Sequence, residues 1–180
     1  MKNLFKISIG LLLVVSCQEK PIKEMAVPTP SFDLKSDLSD FKQKMTVLDT
    51  LTVLFDHSVC TYQGYERIKI TKGSNSIKVR SEFKESSFKN PEWDLVYEKR
   101  ISPNDTTWQF GQFLERNSKR RTSDKKTRGI LIVVNRNDTL QFFTDGLVDL
   151  NGFLEDYYVT MRKIHPENKN GIYGYVFEDE

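Results

Sequence analysis

The sequence has none of the short signatures that announce common chemistries. It contains no G-x-S-x-G turn, no glycine-rich phosphate loop, no H-E-x-x-H and no C-x-x-C. Serine-elbow hydrolysis, nucleotide cradling, zincin chemistry and dithiol redox therefore have no motif to rest on. Histidine and cysteine are sparse, with two of each. Only His57 and Cys60 lie close in sequence, and two ligands fall short of the three or four that zinc wants. In a strand their spacing also puts them on opposite faces. Charge of one sign is missing too: 27 Lys+Arg oppose 25 Asp+Glu, a formal net charge of +2. Steering of nucleic acid or an anionic surface by a whole-molecule field is not supported. No internal repeat with a period of ~20–50 residues is visible. No apolar run approaches the ~20 residues of a membrane-crossing helix.

What is present is the material of a packed domain. Hydrophobic residues make up 38% of the chain, aromatics 12% and charged residues 29%. That is enough apolar surface for a core and far from the composition of a disordered chain. A length of 180 residues corresponds to one domain with at most small appendages.

The first residues differ from the rest. Lys2 and Lys6 make a short basic start, and residues 7–15 are apolar except for Ser8 and Gly10. That length suits the core of a signal peptide. It ends on Val14, Val15, Ser16 and Cys17. This arrangement resembles the lipobox of bacterial lipoproteins: two aliphatic residues, a small one, then cysteine. The resemblance covers residues 1–17 only. It implies diacylglyceryl transfer to the Cys17 thiol, cleavage before Cys17 and acylation of the new amine, so that the membrane partner is met through lipid. Multiple acyl chains hold a soluble domain on a membrane where one chain holds it only marginally. Gln18 favours the outer membrane, since lipoproteins retained at the inner membrane often carry Asp there. Loss of Lys2 and Lys6 with residues 1–16 leaves 25 basic against 25 acidic residues, formally neutral. With Cys17 acylated, Cys60 has no cysteine to pair with, and a disulfide framework is excluded by count. Residues 17–34, with Pro21, Pro28 and Pro30 and no apolar periodicity, read as an extended flexible tether.

Residues 35–180 read as a single α+β domain. Asp37 is a candidate N-cap for a short helix with Leu38, Phe41, Met45 and Leu48 on one stripe. Residues 51–59 read as a strand, β-branched and aromatic. A hairpin follows: Ile68 and Ile70 face one way, Arg67, Lys69 and Thr71 the other, and a turn at 72–75 leads to Ile77 and Val79. Residues 93–101 read as a further strand. Ser102, Pro103 and Asp105 have the order of a helix start, with Phe110, Phe113 and Leu114 as its buried face, although 106–110 also alternates as a strand would. Residues 129–134 suit a central strand, turned at 135–138 into another at 139–143. Asp149 is a candidate cap for a final helix carrying Leu150, Phe153, Leu154, Tyr157, Met161 and Ile164 at a period of about 3.6, ended by Pro166. The expected architecture is a single antiparallel sheet of about six strands with two or three helices on one face.

Each candidate constellation has a structural explanation. Cys60 suits a small buried hydrophobe and His57 a polar residue at a strand end. His165 suits the end of a helix, where an imidazole complements the dipole. Asp145, Asp149, Glu155 and Asp156 suit a turn, a cap and a polar helix flank rather than acid–base pairs. No catalytic residue, metal ligand or cofactor is assigned. One run stands out: Arg116, Lys119, Arg120, Arg121, Lys125, Lys126 and Arg128, opposed only by Asp124. It reads as an exposed loop able to meet an acidic partner or anionic headgroups. The sequence thus points to an envelope lipoprotein whose domain is a non-enzymatic module binding another protein, with no nucleic acid among its partners. The rival readings are a small enzyme using Cys60 or a carboxylate pair, and a binder of a small apolar ligand between sheet and last helix.

Overall fold

A computed structural model describes residues 32–59, 61–85, 92–122 and 129–174. Cys17, Cys60, Lys125, Lys126 and Arg128 lie outside the described residues. Alternating apolar residues form β1 (Thr50–Asp56), β2 (Gly64–Lys72), β3 (Ile77–Glu85), β4 (Asp94–Ile101), β6 (Leu131–Asn135) and β7 (Asp138–Phe142), with a two-residue β5 (Arg121–Thr122) at one edge. The order across the sheet is β4-β3-β2-β1-β6-β7-β5, and every neighbouring pair is antiparallel. Three helices accompany it: α1 (Phe41–Lys44), α2 (Phe110–Arg116) and α3 (Gly146–Arg162). The fold is α+β, a single antiparallel sheet with helices on one face.

The buried face follows strand phase. Leu51, Val53 and Phe55 of β1, Ile68 and Ile70 of β2, Ile77 and Val79 of β3 and Leu131 and Val133 of β6 are all buried. Phe110, Phe113 and Leu114 of α2 and Phe153, Tyr157 and Met161 of α3 cover them. The contact is aromatic at its centre: Phe55 and Tyr157 stack with ring centroids 3.7 Å apart, and Phe113 meets Phe153 at 5.4 Å. Such pairs add about 0.5–1.5 kcal/mol beyond area burial. Gly111 lets α2 approach the 3-10 turn before α1, since a Cβ there would lie 2.2 Å from the Ser39 carbonyl oxygen.

Several expectations need correction. Phe32 and Leu34 are buried in the core, so the folded part starts before residue 35. The Asp33 carboxylate accepts the Lys35 and Ser36 amides, each at 2.8 Å, and turns the chain there. Asp37 makes no side-chain cap. Its carboxylate accepts the Asp33 amide instead. The stripe of the first helix stops at Met45, where ψ swings to 144°, leaving Leu48 exposed. Ser102 to Asp105 is a turn, and α2 begins at Phe110. Ser102 accepts the Asn104 amide at 3.1 Å and Asp105 accepts the Trp108 amide at 2.9 Å. The side chains that suit a helix cap serve a turn here. Residues 106–109 are not a strand. Asp149 sits inside the first turn of α3 rather than at its cap, and its carboxylate reaches back to the Asp145 amide at 2.9 Å.

Candidate functional site

Strand phase buries three polar residues with the core. His57 continues the inward phase of Leu51, Val53 and Phe55, Glu66 that of Ile68 and Ile70, and Ser81 that of Ile77 and Val79. All three are buried. They meet around the Glu66 carboxylate. One of its oxygens accepts the Ser81 hydroxyl and the Tyr173 hydroxyl, each at 2.5 Å. The other accepts the Tyr157 hydroxyl at 2.6 Å and lies 3.2 Å from His57 Nε2. The Tyr173 proton is committed to Glu66, so the Tyr97 hydroxyl 3.3 Å away donates to Tyr173. One carboxylate thereby ties together β2, β3, the exit of β1, α3 and the 168–174 loop.

The charge is held by these donors. Burial alone would raise the Glu66 pKa, but the hydrogen bond and charge of His57, with the hydroxyls of Ser81 and Tyr157, bring it below the ordinary range. Tyr157 and Tyr173 are pushed well above the usual phenol, first by burial and then by Glu66. A carboxylate with several donors behaves this way when ionised. With a proton on Nε2, that nitrogen donates to Glu66, and Nδ1 faces the Tyr158 hydroxyl 3.3 Å away.

A cleft of 410 Å³ lies above His57, lined among others by Tyr62, Phe83, Tyr158, Glu85 and Asp94. Tyr158 stacks on His57 at 5.7 Å with an interplanar angle of 13°. Burial, with smaller contributions from Tyr62 and Glu66, pushes its phenol up to about 12. The opposite wall is the loop before Gly174. Asn168 braces it, donating to the Gly174 carbonyl at 2.6 Å and accepting the Tyr173 amide at 3.2 Å.

The cleft does not end at Tyr158. A second hollow of 310 Å³ shares Tyr158 and Gly174 with it and continues past Leu154, Asn151 and Arg162. A third, of 290 Å³, shares Asn151 and Leu154 with the second and is lined by Val59, Leu147 and Leu150. Together they form one furrow along the outer flank of α3. Its far end is apolar: Leu147 is 80% exposed and Val148 beside it 90%. Isolated exposed aliphatics are ordinary; here two adjacent ones stand beside an apolar hollow.

The residues singled out in the sequence fall elsewhere. Arg116 pairs with Asp156 at 2.7 Å. Arg120 pairs with Asp149 and lies over the Phe153 ring. Arg121 pairs with Glu115 at 2.9 Å and lies over Phe142. This half of the basic run is the end of α2, a 3-10 turn and β5, not a free loop. Its arginines brace α2 against α3 and the sheet, and only Lys119 is exposed and without an ion pair among the described residues. The same pairs occupy Asp149 and Asp156, while Glu155 is exposed. His57 does lie at a strand end, directly after β1, and it is buried there as a member of the Glu66 network. His165 follows the end of α3, stacks on Tyr97 at 4.8 Å and lies 3.1 Å from Glu167. Burial lowers its pKa more than Glu167 raises it.

Both nitrogens of His57 are engaged, Nε2 by Glu66 and Nδ1 by Tyr158, and its side chain is only 2% exposed. Among the described residues, no serine, threonine or cysteine bonds to the His57 ring. None of them form a cluster of three or more His, Cys, Asp or Glu able to hold a metal. Comparison with protein-family models, with curated proteins and with solved structures gives no match to this chain.

Proposed function

We propose that this protein is a lipid-anchored envelope module that captures a segment of another protein in the furrow along α3. Acylation of Cys17 would hold it on a membrane, with Gln18 favouring the outer one. The chain from Cys17 to Phe32 would set its reach. The single observation that carries the reading is the continuity of the three hollows, the first and second sharing Tyr158 and Gly174 and the second and third sharing Asn151 and Leu154. A furrow following α3 from Leu147 to Arg162 is roughly 22 Å long at ~1.5 Å per helical residue. An extended segment of about seven residues, at ~3.3 Å each, would fill it. A protein fits the apolar end better than a lipid surface does. Asp145 is exposed just before Leu147, and Glu155 is exposed further along the furrow; their charges oppose an anionic membrane.

The test is comparative capture from detergent-solubilised envelopes. The tagged mature chain should retain a discrete partner that a Leu147→Asp/Val148→Asp variant loses, with both melting alike. A partner retained equally by the variant would overturn the reading.

A further inference from the structure

The two ends of the furrow differ in chemistry. The Leu147 end is aliphatic, whereas the cleft above His57 presents Tyr62, Phe83 and Tyr158 together with Glu85 and Asp94. No lysine or arginine lines this cleft among the described residues. Glu85 and Asp94 have no ion-pair partner among them either. That sets them apart from Glu82, Glu98, Asp149 and Asp156, each of which meets a basic side chain. The nearest cation along the furrow, Arg162, is committed to the Tyr173 carbonyl at 2.5 Å. Beneath the floor lies the ionised Glu66.

The cleft is also built in advance. Gly64 allows Tyr62 and Phe83 to fold over β2, since a Cβ there would lie 2.7 Å from the Phe83 ring and 2.8 Å from the Tyr62 hydroxyl. The far wall hangs from Glu66 through Tyr173 and from Asn168. A site with its walls fixed before binding loses little ordering entropy on occupation.

We propose that this cleft takes a basic side chain of the captured segment, with Glu85 and Asp94 as its counter-charges and the aromatic lining as its contact surface. The inference rests on the furrow reading above. Guanidinium suits the site better than ammonium, because it pairs with carboxylates through a planar fork and stacks on aromatic faces. A cation beside aromatic rings is attracted by their quadrupole, more so where water is excluded. The polarity of the docked segment follows: aliphatic residues toward the start of α3 and a basic residue toward its end.

The test uses ligand-observed saturation-transfer NMR on the full mature chain in detergent. The probes are N-acetyl-arginine N-methylamide, the lysine analogue and, as control, the glutamate analogue. The basic probes should bind saturably, the arginine one more tightly, and the acidic probe not at all. Glu85→Gln/Asp94→Asn should weaken binding about tenfold, as expected for loss of a charge pair. Raising the salt should weaken it on the wild type, a readout independent of any variant's folding. Absence of saturable binding by the basic probes, or binding indifferent to both salt and the double substitution, would overturn the inference. The two readings fail separately. A partner lost by Leu147→Asp/Val148→Asp but kept by Glu85→Gln/Asp94→Asn sinks the cleft alone. Carboxylate-dependent probe binding with capture indifferent to Leu147 sinks the furrow alone.

Discussion

Removing the Glu66 carboxylate should destabilise the domain from the inside. Glu66→Ala leaves the hydroxyls of Ser81, Tyr157 and Tyr173 and the His57 Nε2–H buried without their common acceptor. An unsatisfied buried donor costs about 1–3 kcal/mol. The hydroxyls can turn toward one another, so the four penalties do not add, and breaking a buried charged network typically costs about 3–5 kcal/mol. Against a total stability of roughly 5–15 kcal/mol, that is a large share. At about 2–4 °C per kcal/mol for a domain of this size, the melting temperature should fall by roughly 6–20 °C. Glu66→Gln keeps one acceptor but turns an NH2 toward a pair of donors, and should cost about 1–3 kcal/mol.

Acid supplies an independent arm of the same test. The folded-state pKa of Glu66 lies below its unfolded value, so its contribution is fully present above the unfolded pKa. It is lost as pH falls through the folded one. The stability gap between wild type and Glu66→Gln should therefore be flat at neutral pH and narrow only below the ordinary carboxylate range. Denaturant melts from neutral pH into acid would measure it. A Glu66→Ala variant melting within about 2 °C of the wild type, or a gap that does not narrow in acid, would refute the account of the network.

Other outcomes follow from the core and the leader. Phe153→Ala, at a fully buried ring between Phe55 and Phe113, should cost about 3–5 kcal/mol in a chemical denaturation curve, while exposed Glu155→Ala should leave the midpoint nearly unchanged. Gly111→Ala should destabilise as strongly as a core truncation, because the Ser39 backbone rather than a flexible side chain blocks the new Cβ; an unchanged melting curve would contradict that contact. Cys17→Ser should abolish acylation and leave the precursor uncleaved, and mass spectrometry finding an unmodified N-terminus elsewhere in the wild type would contradict the lipobox reading.

The parts of the fold legible in the sequence are those with a local period. The β2–β3 hairpin shows itself because Ile68, Ile70, Ile77 and Val79 alternate with charge. Helix α3 shows itself because Phe153, Leu154, Tyr157 and Met161 repeat with the helical turn. The start of α2 was not legible, since Ser102 and Asp105 satisfy backbone amides equally well in a turn. Nor was the start of α3, where Asp149 resembles a cap but reaches back from within the helix. The site was half legible. Phase alone points His57, Glu66 and Ser81 inward, and a buried polar residue demands partners. Those partners come from 91 and 107 residues further along the chain, at Tyr157 and Tyr173. No local pattern relates such distant positions. The furrow was not legible for the same reason, because its walls come from the connection between β1 and β2, from β3, β4 and α3, and from the loop before Gly174. Arg116 and Arg120 find Asp156 and Asp149 across the fold, so the described part of a charge run that reads as a free surface is largely a set of braces.

The most direct test of capture along α3 is site-specific photo-cross-linking in intact envelopes. A photoreactive side chain at Asn151, where two of the hollows meet, should give a discrete adduct with a second protein. The same group at Lys69, exposed on the opposite face of the sheet, should not. No adduct from position 151, or the same adduct from both positions, would contradict a binding furrow on α3.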